Sequence, residues 1–150
     1  MKQWRSVEET LDFAIGEEQA AAEFYTQLAA QARVPGMRQV FEGFAQEEMK
    51  HKTKLEAIKT SQALRPVERQ VTDLRMAEYL VDVPPDPRLD YRSALVLAMK
   101  KEKAAFKLYS DLAESASDEN VKAAFLALAQ EEAKHKLRFE VEYDDMLAEN

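Results

Sequence analysis

Cysteine is absent, and glycine and proline are scarce at three and five in 150 residues. Without a thiol the sequence has no disulfide framework, no thiolate zinc site, no sulfur nucleophile and no iron-sulfur or rubredoxin-type iron centre. That suits a reducing cytoplasm, the expected location. With so few breakers, three of them gathered at Pro84, Pro85 and Pro87, the rest is free to run as long helices. No stretch of about 18 consecutive apolar residues occurs, so no membrane span is expected. The opening "MKQWRSVEETLDF" is charged where a secretory leader needs an apolar run. Acidic side chains outnumber cationic ones, 28 to 21. A net charge of -7 and a pI near 5.0 repel nucleic-acid phosphates and anionic lipid, so neither is expected as a partner. Histidine is the rarest telling residue, present only as His51 and His135.

What is present is 46% hydrophobic sequence, enough for one all-α domain with a real core. Ser6 and Glu9 read as a capping box that opens a first helix near Val7, running to about Arg33 before "VPG" at 34–36. A second helix is expected over Met37–Ser61. Asp90 caps a third over Tyr91–Ala116, and Ser117, with Asp118 and Glu119 in the first turn, opens a fourth that runs almost to Asn150. The helix pair 7–61 and the helix pair 91–148 are thus joined by residues 62–90, too long for a hairpin turn. That connection carries one amphipathic stretch around Leu74 to Val81, and it is expected to cross the length of a bundle.

An internal repeat organises the chain. A shift of 84 residues, without a gap, carries Leu11 to Leu95, Glu18 to Glu102, Tyr25 to Tyr109, Phe41 to Phe125, Glu48 to Glu132 and His51 to His135. Two copies of so long a unit are a duplicated helix pair, not a solenoid. Two hairpins and a long crossover make a four-helix bundle with a pseudo-twofold axis.

The alternating 3, 4 spacing of a buried seam selects Phe41, Phe44, Glu48, His51, Leu55 and Ile58 in the second helix, and Phe125, Leu128, Glu132, His135 and Phe139 in the fourth. In the first it selects Leu11, Ala14, Glu18, Ala21, Tyr25 and Leu28; in the third, Leu95, Ala98, Glu102, Ala105, Tyr109 and Leu112. Every helix therefore puts one glutamate where a core residue belongs. A lone buried carboxylate costs several kcal/mol, and four at one level also repel. No lysine or arginine shares the seam. Two divalent cations resolve the conflict, because four carboxylates, two neutral imidazoles and two such ions sum to zero charge. A Glu and a His three apart share a helix face and reach a common centre. Symmetry then gives each ion one histidine, one terminal glutamate (Glu18 or Glu102) and a share of two bridging glutamates (Glu48 and Glu132). Oxygen-rich ligands with imidazole suit iron or manganese better than structural zinc.

A single Glu-x-x-His would be an ordinary solvated face, whereas two in register with two further seam glutamates are not. Glu17, Glu47 and Glu131 lie beside these positions but off the seam, and read as surface charges paired with nearby lysines. Tyr25 and Tyr109 follow their glutamates by two helical turns, so either phenol is a candidate to hydrogen-bond a metal carboxylate across the bundle, or simply a core tyrosine with another acceptor. The methionines and phenylalanines read as packing.

With these residues in view, the chain resembles the ferritin-like diiron-carboxylate superfamily, particularly rubrerythrin-like proteins. "GEEQAAAEFY" at 16–25 is similar to the family's first-helix segment, "EEMKH" and "EEAKH" to its two Glu-x-x-His motifs, and "EKAAFKLY" at 102–109 to its third-helix segment. The resemblance implies two iron ions, with manganese or zinc as substitutes, activation of O2 or H2O2, oxidation of ferrous iron, and a homodimer. Rubrerythrins generally carry a further glutamate where Ala105 stands, and its repeat mate is Ala21, so the symmetric six-ligand set looks closer to bacterioferritin. Electrons are expected from ferrous iron or a separate donor. The expected function is a dinuclear iron oxidoreductase, ferroxidase or peroxidase-like. The alternatives are a protein that buffers or delivers iron, manganese or zinc without catalysis, and a purely structural helical scaffold.

Overall fold

Helix boundaries follow from how the first amides and last carbonyls find partners. The computed structural model describes residues 7–60, 90–116 and 118–148. Helix α1 spans Val7–Gln31, two residues shorter than expected, and the Ala32 amide closes its end on the Ala29 carbonyl at 3.2 Å. Helix α2 spans Pro35–Thr60, beginning two residues earlier than expected. The reason is that Pro35 occupies the first helical position, where a missing N–H costs nothing and the fixed φ is already helical. The amides of Met37 and Arg38 both reach the Val34 carbonyl, at 3.1 and 3.2 Å. "VPG" therefore starts the second helix as much as it ends the first.

Helix α3, Tyr91–Ser115, is capped as expected by Asp90, whose Oδ1 accepts from the Ser93 amide at 2.7 Å. It stops one residue short of the expected Ala116, which serves as the C-cap. Helix α4, Glu119–Ala148, is capped by Asp118, whose Oδ1 accepts from the Val121 amide at 3.0 Å. Glu119 in the first turn favours the positive end of the helix dipole, as expected. The expected cap Ser117, the Ser6 capping box and the expected short helix at 74–81 lie outside the described residues, as does the crossover up to residue 89.

Among the described residues these four helices are the only regular structure, and they form a ferritin-like four-helix bundle. Close backbone approaches lie mostly within the hairpins α1/α2 and α3/α4. The two hairpins then meet more sparsely through α1 against α3 and α2 against α4. The interior is two apolar compartments. One gathers Leu11, Leu55, Leu108, Leu112, Phe125 and Leu128. The other gathers Phe24, Leu28, Phe41, Leu95, Phe139 and Met146. The start of α1 thus meets the end of α3, and the end of α1 meets the start of α3, so these two helices are antiparallel. Between the compartments lies a layer of buried polar side chains.

Candidate metal centre

That layer consists of Glu18, Glu48, His51, Glu102, Glu132 and His135, each no more than 2% exposed. The seam spacing places one glutamate per helix at a common height, and the Glu-x-x-His pairs of α2 and α4 face each other. Both imidazoles turn Nδ1 inward. His51 Nδ1 lies 3.0 Å from Glu132 Oε1, 3.5 Å from Glu18 Oε2 and 3.6 Å from Glu48 Oε1. His135 Nδ1 lies 3.0 Å from Glu48 Oε1, 3.7 Å from Glu102 Oε1 and 3.9 Å from Glu132 Oε1. The two imidazoles are nearly parallel, with centroids 6.2 Å apart.

Three ligand-type clusters emerge, each with donor atoms within 4.8 Å of one another: a part-exposed one of Glu47, Glu131 and His135, and two within the buried layer, Glu18, Glu48, His51 and Glu132, and Glu48, Glu102, Glu132 and His135. The two buried clusters share Glu48 and Glu132, the two glutamates that the repeat symmetry assigns as bridges. Each of the six residues leaves one buried atom without a hydrogen bond: Glu18 Oε2, Glu48 Oε1, His51 Nδ1, Glu102 Oε2, Glu132 Oε1 and His135 Nδ1. Six unsatisfied buried polar atoms facing one another are unfavourable by themselves, since each has given up water for nothing. They are a good fit to cations held between them. Burial and then the neighbouring carboxylates Glu132, Glu102 and Glu18 push the Glu48 carboxyl far above its ordinary 4.5, and burial with Glu102 and Glu18 raises Glu132 against the opposing pull of its bond to Glu48 and of His135. For His135 burial acts downward, but Glu102, Glu132 and Glu47 outweigh it and lift the imidazole to about 9.

The tyrosines complete the layer from the opposite hairpin. Tyr25 on α1 donates to Glu102 Oε1 on α3, and Tyr109 on α3 donates to Glu18 Oε1 on α1. Each terminal glutamate thus has one oxygen held by a phenol and the other left over. Both phenols are pushed well above their ordinary value, by burial first and by the adjacent carboxylates, so they remain neutral donors.

Two residues read from sequence as lysine-paired surface charges prove to belong to the site. Glu47 Oε2 contacts His135 Nε2, and Glu131 Oε2 lies 3.8 Å from His51 Nε2. Both carboxylates are partly exposed, at 43% and 39%, but they back the imidazoles from outside. A proton held on Nε2 by such a carboxylate leaves the Nδ1 lone pair free for a metal. Phe44 stacks on His135 with centroids 4.1 Å apart and fixes the ring plane. The third such residue, Glu17, is half-buried beside a cavity under the α1/α3 face, and burial raises its carboxyl against the opposing pull of Lys101. The signal available in sequence was the repeat itself: Glu47 maps onto Glu131 under the same 84-residue shift, whereas Glu17 maps onto Lys101.

A ferritin-like bundle with a buried carboxylate and imidazole layer defines a class, and comparison with known proteins places the chain within it. The structure is similar to a ferritin-like diiron-carboxylate protein of Thermotoga maritima, with a TM-score of 0.79 and 17% identity over 97% of this chain and 99% of that one. It is also similar to a hypothetical protein of Pyrococcus furiosus, with a TM-score of 0.74 and 24% identity over 94% of this chain and 90% of the other. No curated protein matches the sequence. The rubrerythrin family model matches residues 9–143, and the chain belongs to that family. Among the described residues no helix is long and apolar enough to cross a membrane.

Proposed function

We propose that the centre holds two iron ions on Glu18, Glu48, His51, Glu102, Glu132 and His135, and that the protein is an oxidoreductase that oxidises ferrous iron or reduces O2 or H2O2. What carries the reading is the set of six orphaned buried atoms, one from each residue, arranged as two clusters with two shared carboxylates. Bound iron supplies one-electron redox chemistry and Lewis acidity. The chain supplies the rest. Glu48 and Glu132 belong to both clusters and so tie them together, while Glu47 and Glu131 orient the imidazoles from behind. Tyr25 and Tyr109 fix the outer oxygens of Glu102 and Glu18 and keep a neutral O–H at each. The apolar compartments above and below exclude water, which strengthens every electrostatic interaction between them.

The test is anaerobic titration with ferrous iron followed by stopped-flow mixing with O2 or H2O2. Two ferrous ions per chain and growth of near-ultraviolet ferric absorption are expected, and His51→Ala or Glu132→Ala should lose the oxidation. Full activity in either variant rejects the ligand set. A wild-type chain that binds both ions yet never develops ferric absorption is instead a metal-buffering protein.

A further inference from the structure

The outward face of α4 carries a seam of its own. Gln130, Lys134, Leu137, Val141, Asp144 and Ala148 follow one another at intervals of 4, 3, 4, 3 and 4 residues, the spacing that lines up one side of a helix, and all six are exposed. At its centre Leu137 is 62% and Val141 40% exposed, and among the described residues no other large apolar side chain is as open as Leu137. The 84-residue shift offers an internal control. It carries the first five positions back to Gln46, Lys50, Thr53, Ala57 and Thr60 on α2, which are exposed as well. There threonine and alanine stand in place of the leucine and valine, and a second threonine in place of the acid. Both helices fill the same place in the bundle, so folding alone does not call for the apolar pair on α4.

The order of residues along the seam says what covers it. A twofold contact sets residue i against j and j against i. With the axis beside residue 139, an antiparallel copy of α4 sets Leu137 against Val141, Lys134 against Asp144, and Gln130 against Ala148, each pair lying symmetrically about that residue. Asp145 adjoins Asp144, so each lysine meets two carboxylates. None of Lys134, Asp144 and Asp145 has an ion-pair partner among the described residues. A parallel copy in register would oppose lysine to lysine and aspartate to aspartate, so charge selects the antiparallel arrangement. The face is thus complementary to itself, with an apolar centre, a cation on one flank and anions on the other. A seam from 130 to 148 is about 28 Å long, and a single helix pair of that length falls short of the about 1,600 Å² of a standard interface, so micromolar association is expected.

We propose that this face of α4 docks on the same face of a second copy of the chain, antiparallel, about an axis beside residue 139. The inference is independent of the metal reading. Sedimentation velocity of the full chain over about 1–200 µM, a range that brackets micromolar association, tests it. The mass should rise with concentration from the 17.2 kDa of one chain toward twice that value. Leu137→Glu, at an exposed position where the fold is not at stake, should weaken association by about tenfold or more. Lys134→Asp should weaken it too, by setting like charges face to face, and adding Asp144→Lys should bring association back to within about threefold of wild type. Lys50→Asp, the corresponding change on α2, should leave it unchanged. A wild-type chain that stays at 17.2 kDa throughout, or a dimer that Leu137→Glu leaves intact, overturns the proposal. Failure of the second charge reversal to restore association overturns the antiparallel register, whatever Leu137→Glu does.

Discussion

The leucine compartment and the aromatic compartment occupy corresponding positions of the repeat, at opposite ends of the bundle. Leu55 corresponds to Phe139, Leu108 to Phe24 and Leu128 to Phe44, so the pseudo-twofold axis exchanges the two ends. Rings dominate one end: Phe139 lies 5.1 Å from Tyr25, 5.4 Å from Phe44 and 5.5 Å from Phe41 by ring centroid. At the other end Phe125 is surrounded mainly by leucines. The polar layer through which the axis passes has not diverged at any of its six positions or at its two tyrosines. Apolar volume can be filled in several ways so long as the total and the pattern are kept. A centre that must balance charge and satisfy directed lone pairs has far fewer solutions.

The comparison can be broken most forcefully at Phe139, which is fully buried and touches three other rings. Phe139→Ala should cost about 3–5 kcal/mol in urea unfolding, and Leu55→Ala at the corresponding place about 2–4 kcal/mol. Equal costs would mean that the ring cluster adds nothing beyond its area.

In the polar layer the direction reverses. Glu48→Leu should destroy metal binding yet make the metal-free chain more stable by about 1–4 kcal/mol near neutral pH, because it replaces a buried acid by an apolar group of similar size. The same frustration sets the pH dependence of the metal-free protein. Glu48 and Glu132 have folded values raised above 4.5, so the stability linked to their protons is full below that value and is lost as pH rises through the raised ones. His135 acts with the same sign: its contribution is full below 6.5 and is lost as pH passes about 9. The metal-free Tm should therefore fall as pH rises from about 5 to about 9, and saturating metal should flatten or reverse the slope. A metal-free Tm that climbs over this range would contradict the charge frustration. Smallest is Tyr25→Phe, which leaves Glu102 Oε1 without its donor and should cost about 1–3 kcal/mol by thermal or urea unfolding. Tyr109→Phe should match it, since Glu18 is held in the same way.

The seam spacing made the bundle and its polar layer legible because each rests on a period that few other arrangements satisfy. Glu18, Glu48, Glu102 and Glu132 were conspicuous as charges at core positions. Glu47 and Glu131 were not, because they sit off the seam, partly in solvent, and reach the imidazole of the other hairpin. Spacing along one helix carries no information about such a crossing contact. Helix ends slipped by one or two residues for local reasons: Pro35 is suited to a first turn, and Asp118 caps the last helix through the Val121 amide.

Each of the two buried clusters draws side chains from both hairpins, with Glu18 and His51 meeting Glu132 in one, and Glu102 and His135 meeting Glu48 in the other. Neither hairpin alone can complete a coordination sphere. A cation seated there is therefore a clasp between halves whose direct backbone contacts are sparse, and by mass action the grip of one half on the other should tighten with the logarithm of the free metal concentration.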